Sequence, residues 1–423
     1  MANAQELREI VNPVFNTAKS CVQLNAAAGD EDSQRLLDEM GFESFAEQAS
    51  NAKVPPEMVE QVKRLVPAYL VFTESRYQTT NKIIESRTDC QVVDLPCGYT
   101  SRGVLMNRQG RKYLGLDLPA VIDVIGPATR NVIAGQGGAN PEADVRYHAV
   151  DATNYDSLRE ATEGMSDKFL ITTEGLLMYF TQPELEEVFS NIHGLLEDHG
   201  GSWIIADHAM AKCSDSIAAA ALGNDPKLLG LYKVITAQAA GTVSDFELYN
   251  NVFFDDDEEK IKAFVKDMGF ELQLVPAYDH MPDQFGSLRD TPEVEDGVRE
   301  AFKELYYWEL TLAPAGEVRE HHGTSFSVDA AIVGPLLRFT LTGRLDTLTA
   351  PDLLELYQGI DPQSYERIEV DMRGLEYVSS AGVRVLTIMA KGLKDMSGFH
   401  ITNAQSTVYE VFAAMGLTDL FGM

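Results

Sequence analysis

The chain has 423 residues, a length that implies two or three domains at roughly 100–200 residues each. Its 34 Lys+Arg against 65 Asp+Glu give a formal net charge of −31, which repels phosphate backbones and anionic lipid surfaces and so argues against nucleic acid and membrane as partners. No apolar run approaches the ~18–20 residues that cross a bilayer, and MANAQELREIVNPVF lacks the basic-then-apolar order of a secretory signal, so a cytoplasmic location is expected. Cys21, Cys90, Cys97 and Cys213 have neither CxxC spacing nor the density of a disulfide scaffold. Reduced thiols and no metal are expected from them.

Residues 1–88 read as a helical lead-in. Leu7, Ile10, Val11 and Val14 recur at helical spacing, and Val59, Val62, Leu65, Val66 and Leu70 do so again after the start signal Pro55-Pro56. From residue 91 short apolar runs alternate with amphipathic helices: QVVDL, KYLGLDL, VRYHAVD, KFLITTE and SWIIADH. This pattern predicts an α/β fold with an open parallel sheet over residues 89–280. The acidic run Asp255–Glu259 suits the first turn of a helix reaching about Met268. Residues 281–324, punctuated by Pro282, Gly286, Pro292, Pro314 and Gly316, are expected to form a connection around one helix near Val298–Leu310. Residues 325–423 carry a net charge of only −5, leaving −26 for residues 1–324, and this shift in composition marks a further domain.

The first chemical signal follows the first strand, in VVDLPCGYTSRG. A glycine there lets backbone approach a ligand at the carboxyl edge of a sheet, where such folds bind small molecules. Gly98 and Gly103 are separated by four residues, so the GxGxxG of a dinucleotide site is absent. The second strand ends in Asp117, suited to accept from both ribose hydroxyls, and the third in Asp151, suited to accept from an exocyclic adenine amine. Three successive strands thus deliver a glycine and two acids to one edge.

Together with TTEGLLMYF after the fourth strand, these residues resemble the leucine carboxyl methyltransferase family, also described as polyketide-type O-methyltransferases, within the class I S-adenosylmethionine-dependent enzymes. The resemblance runs from about Arg76 to Met210, more weakly to about 280. It implies a Rossmann-like class I methyltransferase sheet with S-adenosylmethionine as cofactor. Arg76 of ESRYQTTNKII matches the arginine that holds the cofactor's methionine carboxylate. Asp94 and Gly98 fall in the glycine-rich motif, Asp117 is the ribose acid, Asp151 with Ala152 lies on the adenine side, and Glu174 opens the Glu-Gly-aliphatic-Met-Tyr-aromatic motif. The chain departs from the family at Pro96-Cys97 and in lacking a basic residue after the DLP motif, where Val121-Ile122-Asp123-Val124-Ile125 stands instead. Direct methyl transfer needs no enzyme nucleophile, so Cys97 reads as structural. A carboxylate acceptor needs no general base because it is already ionised at neutral pH. A hydroxyl acceptor wants one, for which His148, His208 and Glu174 are available, and Tyr179 and Phe180 are placed to line the acceptor pocket or simply to pack. Glu174 and Tyr179 are the catalytic candidates. The acceptor is expected to be a carboxyl or hydroxyl group on a small molecule or protein.

Near the carboxyl end, RFTLTGRLDTLTAPDLLELYQGI reads as strand, turn and helix, and RIEVDMRGLEYVSSAGVRVLTIMAKGLKDM as strand, loop and helix. Ser379 and Ser380 precede the second helix, whose free amides suit an N-cap or an anion. GRLDTLTAP, VDMRGLEYVSSAGVRVL and YEVFAAMGLTDLF resemble the STAS domain of anti-sigma-factor antagonists. That resemblance implies a small α/β domain over 325–423 and places the serine phosphorylated by a partner kinase at Ser380, with Ser379 where many members have aspartate. Regulatory protein or kinase partners follow from it, and so does a simpler docking or dimerisation role. The alternative for the whole chain is a non-catalytic sensor of the cofactor whose output passes through the STAS domain by partner switching.

Overall fold

The computed structural model describes residues 18–51, 59–241, 250–314, 318–333, 336–360, 365 and 367–423. The helical positions expected at Leu7–Val14 and the Pro55-Pro56 start signal lie outside the described residues. The lead-in is helical: α1 (18–27), α2 (Glu31–Met40), α3 (Phe45–Asn51) and α4 (Val59–Glu85). Helix α2 shows why it starts and stops where it does. The Asp30 carboxylate accepts from Ser33 N at 2.8 Å, Glu31 and Asp32 face the positive end of the helix dipole, and Gly41 ends it at φ 66°.

Next come β1 (Gln91–Asp94), α5 (Arg102–Arg108), β2 (Lys112–Asp117), α6 (Pro119–Gly135), β3 (Asp144–Ala149), α7 (Tyr155–Thr162), β4 (Phe169–Thr173), α8 (Gln182–His199), β5 (Gly201–Ile205), α9 (Asp207–Ala221) and α10 (Pro226–Gly241). All five strands fall on the expected apolar runs. Helix α11 (Glu258–Asp267) begins in the acidic run, with Asp257 as its N-cap and Glu258 and Glu259 in its first turn. The chain then forms β6 (Phe270–Pro276), α12 (Glu295–Ala301) and β7 (Tyr306–Leu312).

The strand order is β3-β2-β1-β4-β5-β7-β6, parallel except for β7, which runs antiparallel to both β5 and β6. The central strands are buried on both faces, so every residue of QVVD and FLITT is buried and neither strand shows an exposed alternate position. One apolar layer under α8 gathers Val93, Ile171, Phe189, Trp203 and Trp308; the opposite layer gathers Leu65, Val71, Val92, Ile204 and Tyr307 beneath α4 and α9.

The expected helix around Val298–Leu310 is corrected by the structure. Helix α12 stops at Ala301, and Tyr306–Leu312 becomes the last strand laid into the first sheet. In YYWELTL, Trp308 and Leu310 enter one core while Tyr307 enters the other, a period-two division that the helical spacing upstream disguises. The stretch 281–324 is therefore not a purely helical connection: it supplies β7 to the first sheet and β8 (Val318–His322) to the second.

The second sheet contains β8, β9 (Phe326–Val333), β10 (Leu336–Leu345), β11 (Arg367–Val378) and β12 (Phe399–Thr402), in the order β12-β11-β10-β9-β8. Strands β10, β11 and β12 pair in parallel, and β8 and β9 add antiparallel to the β10 side. Helices α13 (Ala350–Gln358), α14 (Ser380–Gly392) and α15 (Ser406–Ala414) cover one face around Leu337, Phe339, Val370, Leu386 and Phe412. The alternate residues Arg338, Glu369 and Arg373 point from the other face toward α8, where Arg373 meets Glu197. The expected α/β class, with a helical lead-in, a largely parallel first sheet and a second smaller α/β unit, is the observed one.

Candidate functional site

The carboxyl ends of β1, β2, β3 and β4 share one edge, so residues far apart in sequence converge there without any long loop. Asp94, at the end of β1, is 1% exposed. Its Oδ1 accepts from Arg102 Nη1 at 2.7 Å and Thr172 Oγ1 at 2.9 Å, and its Oδ2 accepts from Tyr113 OH at 2.9 Å. Arg102, equally buried, also donates to Glu174 Oε1 and reaches Asn81 Oδ1 at 2.8 Å. Arg76 Nε lies 3.5 Å from Glu174 Oε2, and its Nη2 donates to Cys21 Sγ at 3.1 Å. Asp94, Glu174 and Arg76 thus form one cluster, with Arg102 as the cation at its centre.

Gly98 is held beside Asp117. The Gly98 N–H donates to Asp117 Oδ2 at 2.8 Å, and Leu118 N–H to Oδ1 at 2.7 Å. Gly98 sits at φ 53°, a left-handed conformation that disfavours side chains, and α1 covers it, since a Cβ here would lie 3.9 Å from that of Ala18. Burial pushes the Asp117 carboxyl up to about 6, opposed by its two backbone donors. Asp151 lies two residues beyond Ala149, the register partner of Asp117. It is exposed, and its Oδ1 accepts from Thr153 N at 3.0 Å and Thr153 Oγ1 at 2.7 Å. Ala152 is buried, its carbonyl accepting from Asn191 Nδ2 of α8 at 2.9 Å.

Glu174 follows β4 and precedes the turn Leu177–Tyr179, and Tyr179 and Phe180 are half-buried. Both Glu174 oxygens face arginines, Oε1 toward Arg102 and Oε2 toward Arg76. Behind this turn stands Asp207, 0% exposed at the start of α9. Its Oδ1 accepts from Gly175 N at 2.8 Å and Leu176 N at 3.1 Å. Burial pushes it up to about 7, with Arg76 and the two N–H donors pulling the other way. Sequence reasoning singled out neither Arg102 nor Asp207. The available signals were an arginine inside the glycine-loop segment TSRG and a fifth strand-terminal acid in IIADH.

His148 is half-buried on edge strand β3, with Nδ1 3.1 Å from Ala149 O. His208 is buried against the Trp308 ring, centroids 4.5 Å apart. Cys97 is 1% exposed, and burial with the nearby Asp117 and Asp94 charges raises its thiol well above the usual range, as befits a structural residue. The side chain of Cys213 lies outside the described residues.

Helix α8 carries this edge to the second sheet. Its N-terminus is fixed by a capping box between Thr181 and Glu184, and the Thr181 hydroxyl as well as its N–H lies 2.8 Å from Glu184 Oε2. Its flank meets Arg338, which lies 2.8 Å from His193 Nε2 and 2.9 Å from Glu369 Oε1. Arg373 donates to Tyr155 OH at 2.8 Å with its guanidinium 4.5 Å over that ring. Gly194 of α8 permits this approach, since a Cβ there would fall 2.5 Å from Arg373 Nη2. Across the second sheet, Ser379 N-caps α14, accepting from Gly382 N at 3.4 Å, while Ser380 is the exposed first helical residue.

Residues 330–422 match the family model of the Mlab, STAS domain, so this part of the chain is a STAS domain. No curated protein matches the chain. Among solved structures, an anti-sigma factor antagonist from Mycobacterium paratuberculosis is similar at 20% identity, covering 23% of this chain and 83% of that one with a TM-score of 0.22. An O-methyltransferase family protein from Burkholderia thailandensis is similar at 13% identity over 64% of this chain and 67% of its own, TM-score 0.30. The structure of LaPhzM is similar at 14% identity over 65% and 64% of the two chains, TM-score 0.30. Among the described residues no helix is long and apolar enough to cross a membrane.

Proposed function

We propose that this chain is an S-adenosylmethionine-dependent O-methyltransferase acting on a carboxyl or hydroxyl group of a small molecule or protein, with its STAS domain as a docking or regulatory module. The methyltransferase unit is assigned to residues 89–280 with β7 added. The observation that carries this reading is the Gly98–Asp117 hydrogen bond at the carboxyl edge of the first sheet. It holds an acid beside a left-handed glycine loop, and each carboxylate oxygen accepts a single backbone N–H. One further lone pair on each oxygen suits a pair of ribose hydroxyls. The donor set fits the cofactor: Asp117 would take the ribose, Asp151 and Ala152 the adenine side, and Arg76 the methionine carboxylate. Asp94 and Glu174 would fix the edge through Arg102. When bound, the cofactor supplies an electrophilic methyl group.

The protein's own contribution is then positioning, because displacement of this kind rewards alignment and needs no base when the acceptor is a carboxylate. Tyr179, in the turn after β4, is the residue proposed to face the acceptor. Exposed Ser380, beside the capping Ser379, is the proposed position for a kinase to act, with a regulatory protein as the partner that reads the phosphate.

Calorimetry with S-adenosylmethionine and S-adenosylhomocysteine tests the site. Asp117→Ala is expected to weaken binding by about 1.5–3 kcal/mol, the range for hydrogen bonds to charged groups. Wild-type affinity is expected to rise as pH passes upward through about 6, because the ionised carboxylate is the better acceptor. Unchanged affinity in the mutant removes Asp117 from the site. Incubation of native extract with methyl-labelled cofactor tests turnover. Binding without any labelled acceptor would favour the cofactor-sensing reading, for which the seam between α8 and the STAS domain offers a physical route.

A further inference from the structure

We propose that the β8–β9 hairpin carries a site for one zinc-type divalent cation, built by Glu320, His322 and Asp329. The three side chains offer one ligand atom each, and these atoms all lie within 4.8 Å of one another. The strand register explains the convergence. Glu320 and His322 are two apart on β8, so they share a face, and Glu320 stands directly opposite Asp329 on β9. His321, between them, points to the other face and pairs with Asp352 of α13 at 3.3 Å.

Two carboxylate oxygens meet at a single ring nitrogen. His322 Nε2 is 3.3 Å from Glu320 Oε2 and 3.3 Å from Asp329 Oδ1. One N–H hydrogen bonds one acceptor well, and here it serves Glu320. Asp329 Oδ1 is shielded from water and has no hydrogen-bond partner among the described residues. The Asp329 side chain as a whole is 44% exposed, so a cation can reach this oxygen from the solvent side. A cation satisfies all three atoms at once. Ligand atoms about 2.0–2.2 Å from a tetrahedral zinc stand roughly 3.3–3.5 Å apart, which matches both nitrogen–oxygen spacings.

One imidazole and two carboxylates select a borderline first-row ion over magnesium or calcium, which prefer all-oxygen shells. The remaining coordination position would be water, since Glu320 and His322 are more than half exposed. The chain's net charge of −31 raises the local concentration of any cation. The site also has a mechanical consequence. Edge strand β8 follows directly on the connection from the first sheet, and a metal there would pin it to β9.

The test is zinc stoichiometry of the full chain after dialysis against micromolar Zn2+, with calorimetry, for wild type, His322→Ala, Asp329→Asn and His321→Ala. Wild type and His321→Ala are expected to hold one more equivalent than His322→Ala, and Asp329→Asn to bind at least tenfold more weakly. Magnesium is expected not to displace the zinc. Hydrogen exchange at β8 amides is expected to slow with zinc in wild type and His321→Ala but not in His322→Ala, and circular dichroism checks that the substitutions leave the fold intact. Equal stoichiometry in wild type and His322→Ala, or equal competition by magnesium, overturns the site.

Discussion

Two buried charge clusters hold this molecule together, and they differ in how their charges are met. At the carboxyl edge of the first sheet, Arg102 sits between Asp94 and Glu174, and each Asp94 oxygen has a donor. At the seam, Arg338 lies between Glu369 and His193, yet Glu369 Oε2 and Arg338 Nε lack hydrogen-bond partners among the described residues. The edge is a closed network, its geometry fixed by its own pairs. The seam is a contact between two units, where shape matters as much as pairing. Desolvating charge is expensive in both places, and only a completed network offsets it.

The largest expected effect follows from removing the cation at the edge. Arg102→Ala leaves Asp94 buried beside Glu174 with no nearby counter-charge except Arg76. The expected loss is about 3–5 kcal/mol, the range for breaking a buried pair from one side. Chemical denaturation followed by a first-sheet signal such as Trp203 and Trp308 fluorescence measures it. A loss below about 1 kcal/mol, the scale of exposed pairs, would erase the distinction drawn between the two clusters.

Asp207 gives the edge its pH dependence. Its folded-state carboxyl titrates near 7, above the ordinary value of about 4. The native state therefore binds the proton more tightly than the unfolded chain does. The contribution of Asp207 to stability is fullest below about pH 4, falls as pH rises toward about 7, and levels off beyond, a decline of a few kcal/mol. Asp117, raised to about 6, adds a shallower decline of the same sign. Asp207→Asn keeps an oxygen for Gly175 and Leu176 while removing the titration. Urea midpoints at acid and neutral pH are expected to lie closer together in this variant than in wild type. Parallel pH curves for the two proteins would show that Asp207 does not titrate as described.

A smaller effect belongs to the seam. Arg338→Ala is expected to cost about 1.5–3 kcal/mol, less than the edge variant, because Arg367 still faces Glu369 through space. Replacing the pair together, Arg338→Met with Glu369→Leu, is expected to recover most of the loss, since apolar packing substitutes well for buried ion pairs. If the double variant is no more stable than Arg338→Ala, the pair is specifying the docking geometry rather than merely filling it.

The same contrast explains what the sequence could show. The edge is written in strand-terminal residues, so LPCGY, LDLP and AVDA announce themselves locally, and the five runs from QVVDL to SWIIADH map onto β1 to β5. Arg102 and Asp207 escaped because their meaning lies in partners 72 and 32 positions away, Glu174 and the Gly175 amide. The seam joins Arg338 to His193 across 145 positions, and no local pattern encodes that. Strand β7 reads as helix because the helical spacing of α12 just upstream disguises the period-two division of YYWELTL.

The smallest expected effect separates two adjacent serines. Ser379 has extended backbone and accepts from Gly382 N, so it satisfies one of the orphan amides of α14. Ser379→Ala is expected to cost about 1 kcal/mol, the usual value of an N-cap. Ser380 is exposed at the first helical position, and a negative charge there interacts favourably with the helix dipole. Ser380→Asp is therefore expected to shift stability by no more than about 0.5 kcal/mol. If Ser380 is the regulatory position, the same substitution weakens capture of a partner from native extract while Ser380→Ala preserves it. A phosphate on the Ser379–Ser380 peptide would join the two results, placing the charge where the fold tolerates it and a partner must read it. Identical capture by both variants, with no phosphopeptide detected, would reduce Ser380 to an ordinary helix-start residue.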